Sequence, residues 1–228
     1  MKRSWMIVGS LALFSVAVSA PARAQMGMDI FKRPSITKAF HPVIGKGAAY
    51  EDTGKEAKPR TTEISIVGKD SIAGKDAYWM QFVSTGPDGK SYVGKMLIAG
   101  DDFQPHRMIV QPPGQQAMEI PTQMSGAGRQ RMQDNMTDWH SVGPDTITVP
   151  AGTFACEHWH SDNGNADAWT SDKVTPFGLV KFVSGNGGTQ ILVKVVDNVT
   201  DRITGPVKQF DMQEMMQQMQ QRRQQPQQ

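Results

Sequence analysis

Residues 146–184 read TITVPAGTFACEHWHSDNGNADAWTSDKVTPFGLVKFVS, and the rest of the chain is organised around them. Val149-Pro150-Ala151-Gly152-Thr153-Phe154 turns the chain into a strand that runs to Ser161. Asn163-Gly164 follows, and a return strand spans Asn165 to Asp172. Asn-Gly between two β-type runs signals a hairpin, because a type I′ turn needs positive φ at both central positions. With Asn163 and Gly164 as that pair, Asp162 faces Asn165, His160 faces Asp167, His158 faces Trp169 and Cys156 faces Ser171. Alternation then places Cys156, His158, His160, Asp167 and Trp169 on one face.

The segments on either side carry the same kind of signal. Strand character starts at Ala48 or Ala49. Thr61 to Val67 alternates as a half-buried strand does, and Lys69-Asp70 and Gly74-Lys75-Asp76 are rich in turn formers. Ala77 to Thr85 carries Tyr78, Trp79, Met80 and Phe82. Gly86-Pro87-Asp88-Gly89 turns the chain, and Tyr92 to Ala99 returns. Phe103 to Gln111 has Met108 and Val110 on one face, and Gln115 to Ile120 pairs as a short edge strand. Val174 to Gly178 is a bend. Leu179 to Ser184 and Thr189 to Val196 form a last hairpin, and Asn198 to Thr204 adds a short strand. Antiparallel runs separated by turns argue a meander rather than βαβ units. Pro121 to Met136 differs: Met124, Met132 and Met136 share a helical face, so this segment reads as a short helix or lid, although Gly126 and Gly128 weaken it.

The chain opens with an address. Lys2 and Arg3 precede an apolar run from Trp5 to Ala20, and Ala22-Arg23-Ala24 is a small-x-small cleavage pattern, as in a secretory signal peptide. Cleavage is expected after Ala24, giving a periplasmic or secreted protein with no later stretch apolar enough to span a membrane. The expected plan is a signal peptide at 1–24, an irregular segment at 25–47, one β-rich domain at 48–205 and a Gln/Met-rich tail at 206–228. The full chain has 24 Lys+Arg and 22 Asp+Glu. The leader holds Lys2, Arg3 and Arg23, so the mature part is close to neutral, and no basic face for nucleic acid is implied. Cys156 is the single cysteine, which rules out an intrachain disulfide.

No catalytic signature is present. There is no G-x-S-x-G elbow, no H-E-x-x-H helix and no P-loop, so no enzyme activity and no cofactor is implied. Asp101-Asp102 sits in a turn context. Cys156, His158, His160 and Asp167 are the residue types that ligate zinc or copper. The same four also read as a small buried thiol and a histidine–aspartate hydrogen bond, with Phe154 and Trp169 marking that face as the core side. Met212, Met215, Met216 and Met219 form one helical stripe. It suits packing on an apolar groove or partner, and thioethers in a row also suit Cu(I).

Ala77-Tyr78-Trp79, Asp88-Gly89-Lys90, Lys95-Met96-Leu97 and Pro105-His106-Arg107, taken with Val149-Pro150-Ala151-Gly152-Thr153-Phe154, Trp169 and Pro176-Phe177-Gly178-Leu179-Val180-Lys181, resemble secreted bacterial domains of the LolA/LolB lipoprotein-carrier kind. The likeness spans roughly Ala48 to Asp197 and is nearest to uncharacterised relatives of those carriers. It implies a β-rich α+β fold: a curved antiparallel sheet, an unclosed half-barrel, with one or two short helices as a lid. It also implies an apolar ligand in the hollow, a hydrophobic small molecule or lipid, or an envelope protein as partner. The side chains placed to line that hollow are Tyr78, Met80, Phe82 and Met108, with Met124, Met132 and Met136 over its mouth. No functional residue of the carriers themselves matches a position here.

Overall fold

The computed structural model describes residues 40–54, 60–99, 105–121 and 139–210. These form one open, curved sheet of twelve strands. The strands are β1 (Gly47–Thr53), β2 (Arg60–Ile72), β3 (Lys75–Thr85), β4 (Ser91–Ala99), β5 (Pro105–Gln111), β6 (Met118–Ile120), β7 (Trp139–Val149), β8 (Gly152–Ser161), β9 (Ala166–Thr170), β10 (Leu179–Val183), β11 (Thr189–Val196) and β12 (Lys208–Gln209). Their spatial order is β12-β6-β5-β4-β3-β2-β1-β11-β10-β9-β8-β7. Two meanders, β1–β6 and β7–β11, thus join where β1 pairs with β11. Every pairing between the twelve strands is antiparallel except β12 with β6. The expected lid helix and tail stripe lie outside the described residues, as does the leader.

One face carries most of the core. Ala48, Tyr50, Ile64, Ile66, Met80, Met96, Ile98 and Leu192 are all buried there. Tyr50 reaches across to donate its hydroxyl to Leu179 O at 3.1 Å. The register extends this face through Gln190, Phe182 and Ala168 to Trp159. Phe40 packs edge-on against Tyr78 and lies 5.4 Å from Phe177.

Three local expectations need correcting. Asn163-Gly164 is not a two-residue type I′ turn. Positive φ occurs at Asn165, and a four-residue loop, Asp162 to Asn165, separates the paired Ser161 and Ala166. The loop is held by Gly164 N–H donating to Ser161 Oγ at 3.0 Å. Both loops share one centre of symmetry, so the register is as expected: His160 opposite Asp167 and His158 opposite Trp169. The two-residue turn with both φ positive is Ala73-Gly74, joining Ile72 to Lys75. Lys69-Asp70 therefore belongs to a strand, and Lys69 forms an ion pair with Asp76 at 2.8 Å.

Asn198 to Thr204 is not a strand either. It crosses strands instead of running beside one, and side chains satisfy its backbone. Arg202 N–H donates to Gln81 Oε1, Gln81 Nε2 donates to Thr200 O, and Ile203 N–H donates to Asp201 Oδ1. Lys95, only 9 % exposed, pairs with Asp201. This strap covers the reverse face of β2–β5, where Ile203 packs with Ile109, Ala117 and Trp79. It ends in β12, which caps the β6 edge.

Candidate functional site

The two expected groups of site residues lie on opposite faces. Register sets this out. His158 pairs with Trp169, Trp169 with Lys181, Lys181 with Ile191 and Ile191 with Glu51. Glu51 neighbours Tyr50 in β1, so the histidine row lies on the reverse face from Tyr50.

On that reverse face Asp167 Oδ1 accepts from two imidazoles, His158 Nε2 at 2.8 Å and His160 Nδ1 at 2.9 Å. A carboxylate only accepts, so those two nitrogens carry the protons. Burial pushes the Asp167 carboxyl up, but hydrogen bonds from His160 and His158 outweigh it and hold it below the usual carboxylate range. His158 stacks on Trp169 with centroids 4.5 Å apart and planes 6° from parallel. Lys181 Nζ sits 5.0 Å from the same ring, on the strand to the other side. Trp169 Nε1 donates to Asp145 Oδ2 at 2.9 Å. That bond, with one from Thr146 N–H, lowers the Asp145 carboxyl.

Trp169 is half-buried: it packs against the margin of the core cluster, and His158 and Lys181 cover its ring from the sides. Towards Phe154 the same side of β8 closes over: Phe154 is 8 % and Cys156 7 % exposed, while the β7–β8 turn hydrogen-bonds to β11 through Ala151 N–H and Leu192 O. Burial, with the nearby Asp145 charge, pushes the Cys156 thiol up to about 11. Its Sγ lies 3.6 Å from Phe154 O. Cys156, His158, His160 and Asp167 therefore do not come together as four ligands. The thiol stays protonated and turned to a carbonyl, and Asp167 is occupied by imidazole N–H groups. Among the described residues no three histidine, cysteine, aspartate or glutamate side chains surround one point as they stand.

Four further residues join this row that the hairpin sequence did not single out: His140, Asp145, Asp162 and Lys181. His140 on β7 pairs with His160, the rings 5.7 Å apart and edge-on. Asp162 lies 3.6 Å from His160 Nε2 and 3.7 Å from His140 Nδ1. The one available signal was that residues 139–149, read as a strand paired with β8, bring His140 opposite His160.

On the core face, Tyr78, Met80, Phe82 and Met108 do share one side. Met80 aligns with Met96, Met108 and Ile120, and Phe82 aligns with Gly94 and Val110. They are not equally open. Met80 is 2 % exposed and belongs to the core, and Tyr78 is engaged by Phe40. Phe82, Met108, Val110, Met118 and Ile120 are half-buried. The Phe82 ring lies on the backbone at Gly94, where a Cβ would come within 2.1 Å of it. Met124, Met132 and Met136 lie outside the described residues.

No family model matches the chain, and no curated protein matches it. Solved structures similar to the chain include two at low identity. One is a "putative lipoprotein" from Parabacteroides distasonis, 12 % identical, with a TM-score of 0.38, covering 69 % of this chain and 97 % of that one. The other is a "putative exported protein with YmcC-like fold" from Bacteroides fragilis, 12 % identical, with a TM-score of 0.39, covering 68 % and 98 %.

Proposed function

We propose that this chain is a non-catalytic protein of the cell envelope that holds an apolar ligand, such as one acyl chain, against the core face of its open sheet. The half-buried row of Phe82, Met108, Val110, Met118 and Ile120 carries this reading. It continues the buried Met80–Met96 row towards the β6 edge without a change in polarity. Apolar walls with few polar groups are what an aliphatic chain requires. Methionines suit the task, since unbranched thioethers repack around ligands of different shape. The secretory leader read in residues 1–24 supports the compartment.

A fluorescent fatty-acyl probe tests this. The full chain is expected to bind it, and Phe82→Arg to weaken binding at least tenfold with the thermal transition retained. Gly94→Ala, which forces the Phe82 ring off its seat, should weaken binding without adding charge. Cys156→Ser should leave it unchanged. Equal binding by wild type, Phe82→Arg and Gly94→Ala would overturn the reading, as would no binding by the wild type.

A further inference from the structure

We propose that His140, His160 and Asp162 form a site for one divalent metal ion of the zinc class at the β7 edge, with Asp167 holding His160 from behind. This is a different set from the thiol-containing one that the hairpin suggested, and it does not depend on acyl binding.

His140 and His160 are direct cross-strand partners on β7 and β8. Such partners have Cβ atoms about 4.5–5.5 Å apart, close enough for both rings to reach one ion. Asp162 follows two residues after His160, at the start of the loop, and completes a set of two imidazoles and one carboxylate.

Proton placement comes next. His160 Nδ1 donates to Asp167 at 2.9 Å, so a neutral His160 turns the lone pair of Nε2 outward. That nitrogen faces Asp162 Oδ1 at 3.6 Å. A lone pair opposite a carboxylate is repulsive unless a cation lies between them. His140 Nδ1 faces the other oxygen of the same carboxylate at 3.7 Å. Both gaps are too long for hydrogen bonds. Two ligands of a tetrahedral zinc ion, each about 2.1 Å from the metal, stand about 3.4 Å apart. The two observed gaps are close to that separation, and the exposed His140 and Asp162 side chains must swing to bring all three groups round one ion.

His160 is 29 % exposed and pinned by Asp167, whereas His140 is 54 % and Asp162 77 % exposed. One ligand is set and two are free to swing onto the ion. A carboxylate behind a ligating histidine fixes its tautomer and raises its basicity, an arrangement that recurs in zinc sites. Imidazole and carboxylate donors suit zinc, and water completes the coordination.

Zinc titrated into the full chain by calorimetry at neutral pH tests this, with Co2+ as a spectroscopic substitute. One equivalent should bind, and Co2+ should give visible bands of low-symmetry coordination. His140→Ala and Asp162→Asn should each weaken binding at least tenfold, and both positions are exposed enough to leave folding intact. Asp167→Asn should weaken it about 10–100-fold, the usual effect of removing such a support. Cys156→Ser should change nothing. Absence of zinc binding would overturn the proposal. Binding that is unaffected by His140→Ala and Asp162→Asn would also overturn it.

Discussion

Across β2–β5 the reverse face of the sheet lies under residues 198–207; across β8–β10 the same face stays partly open to solvent. In the strapped half, polar groups find partners more than 100 residues away, as in Lys95 with Asp201 and Gln81 with Thr200 and Arg202. In the open half the partners are neighbours in the row, as in His158 and His160 with Asp167. The strapped polar row is therefore committed to structure. The open row keeps its geometry from contacts among β7–β10 and leaves the His140 ring more than half exposed.

The sharpest way to break the contrast is Asp201→Ala. Lys95 would be left almost buried without its partner, and the Ile203 N–H would lose its acceptor. Removing one member of a buried pair costs about 3–5 kcal/mol, and the one-third exposure of Asp201 reduces this to about 2–3 kcal/mol. A change under about 0.5 kcal/mol in urea titration would show that the strap contributes nothing to stability. Trp169→Ala in the open half should cost less, about 1–2 kcal/mol, because a half-buried indole loses less than the 3–5 kcal/mol of a core aromatic. A core-sized loss in the same titration would mean that the open half is enclosed after all.

The turns give the smallest effects. Ala73 in the strapped half holds φ at +50°, where a Cβ is strained, so Ala73→Gly should stabilise by about 0.5–1 kcal/mol. Asn165→Gly in the open half should be neutral, since asparagine tolerates that region. Loss of stability in either variant by thermal denaturation would place the positive φ elsewhere.

The comparison also marks where sequence reading works. The β8–β9 register was legible from Asn163-Gly164 even though the turn type was not, because a two-residue and a four-residue loop centred on the same bond give identical pairings. The β2–β3 turn was obscured by Lys69-Asp70, whose charges look like a loop but form an ion pair with Asp76 on the sheet surface. The strap was illegible as such. Asn198 to Thr204 has the composition of a strand, and only the partners on β3 and β4 reveal that it crosses the sheet. His140 was missed because Gly143-Pro144 interrupts the alternation of β7. Those residues sit at a bulge, where the register shifts between Ser141 and Gly143.

That interruption has a consequence for the molecule in concentrated solution. An open sheet ends in two edges, here the two-residue β12 and the eleven-residue β7, and among the described residues no strand pairs beyond either. A long regular edge is a template on which a second molecule can pair and fibres can grow. Pro144 has no N–H to offer, and the bulge beside it bends the ladder in mid-strand. An incoming strand meets two shorter stretches, residues 139–141 and 145–149, in place of one unbroken eleven-residue ladder. The residues that hid this strand from the sequence thus also shorten the regular template that this edge offers a second molecule.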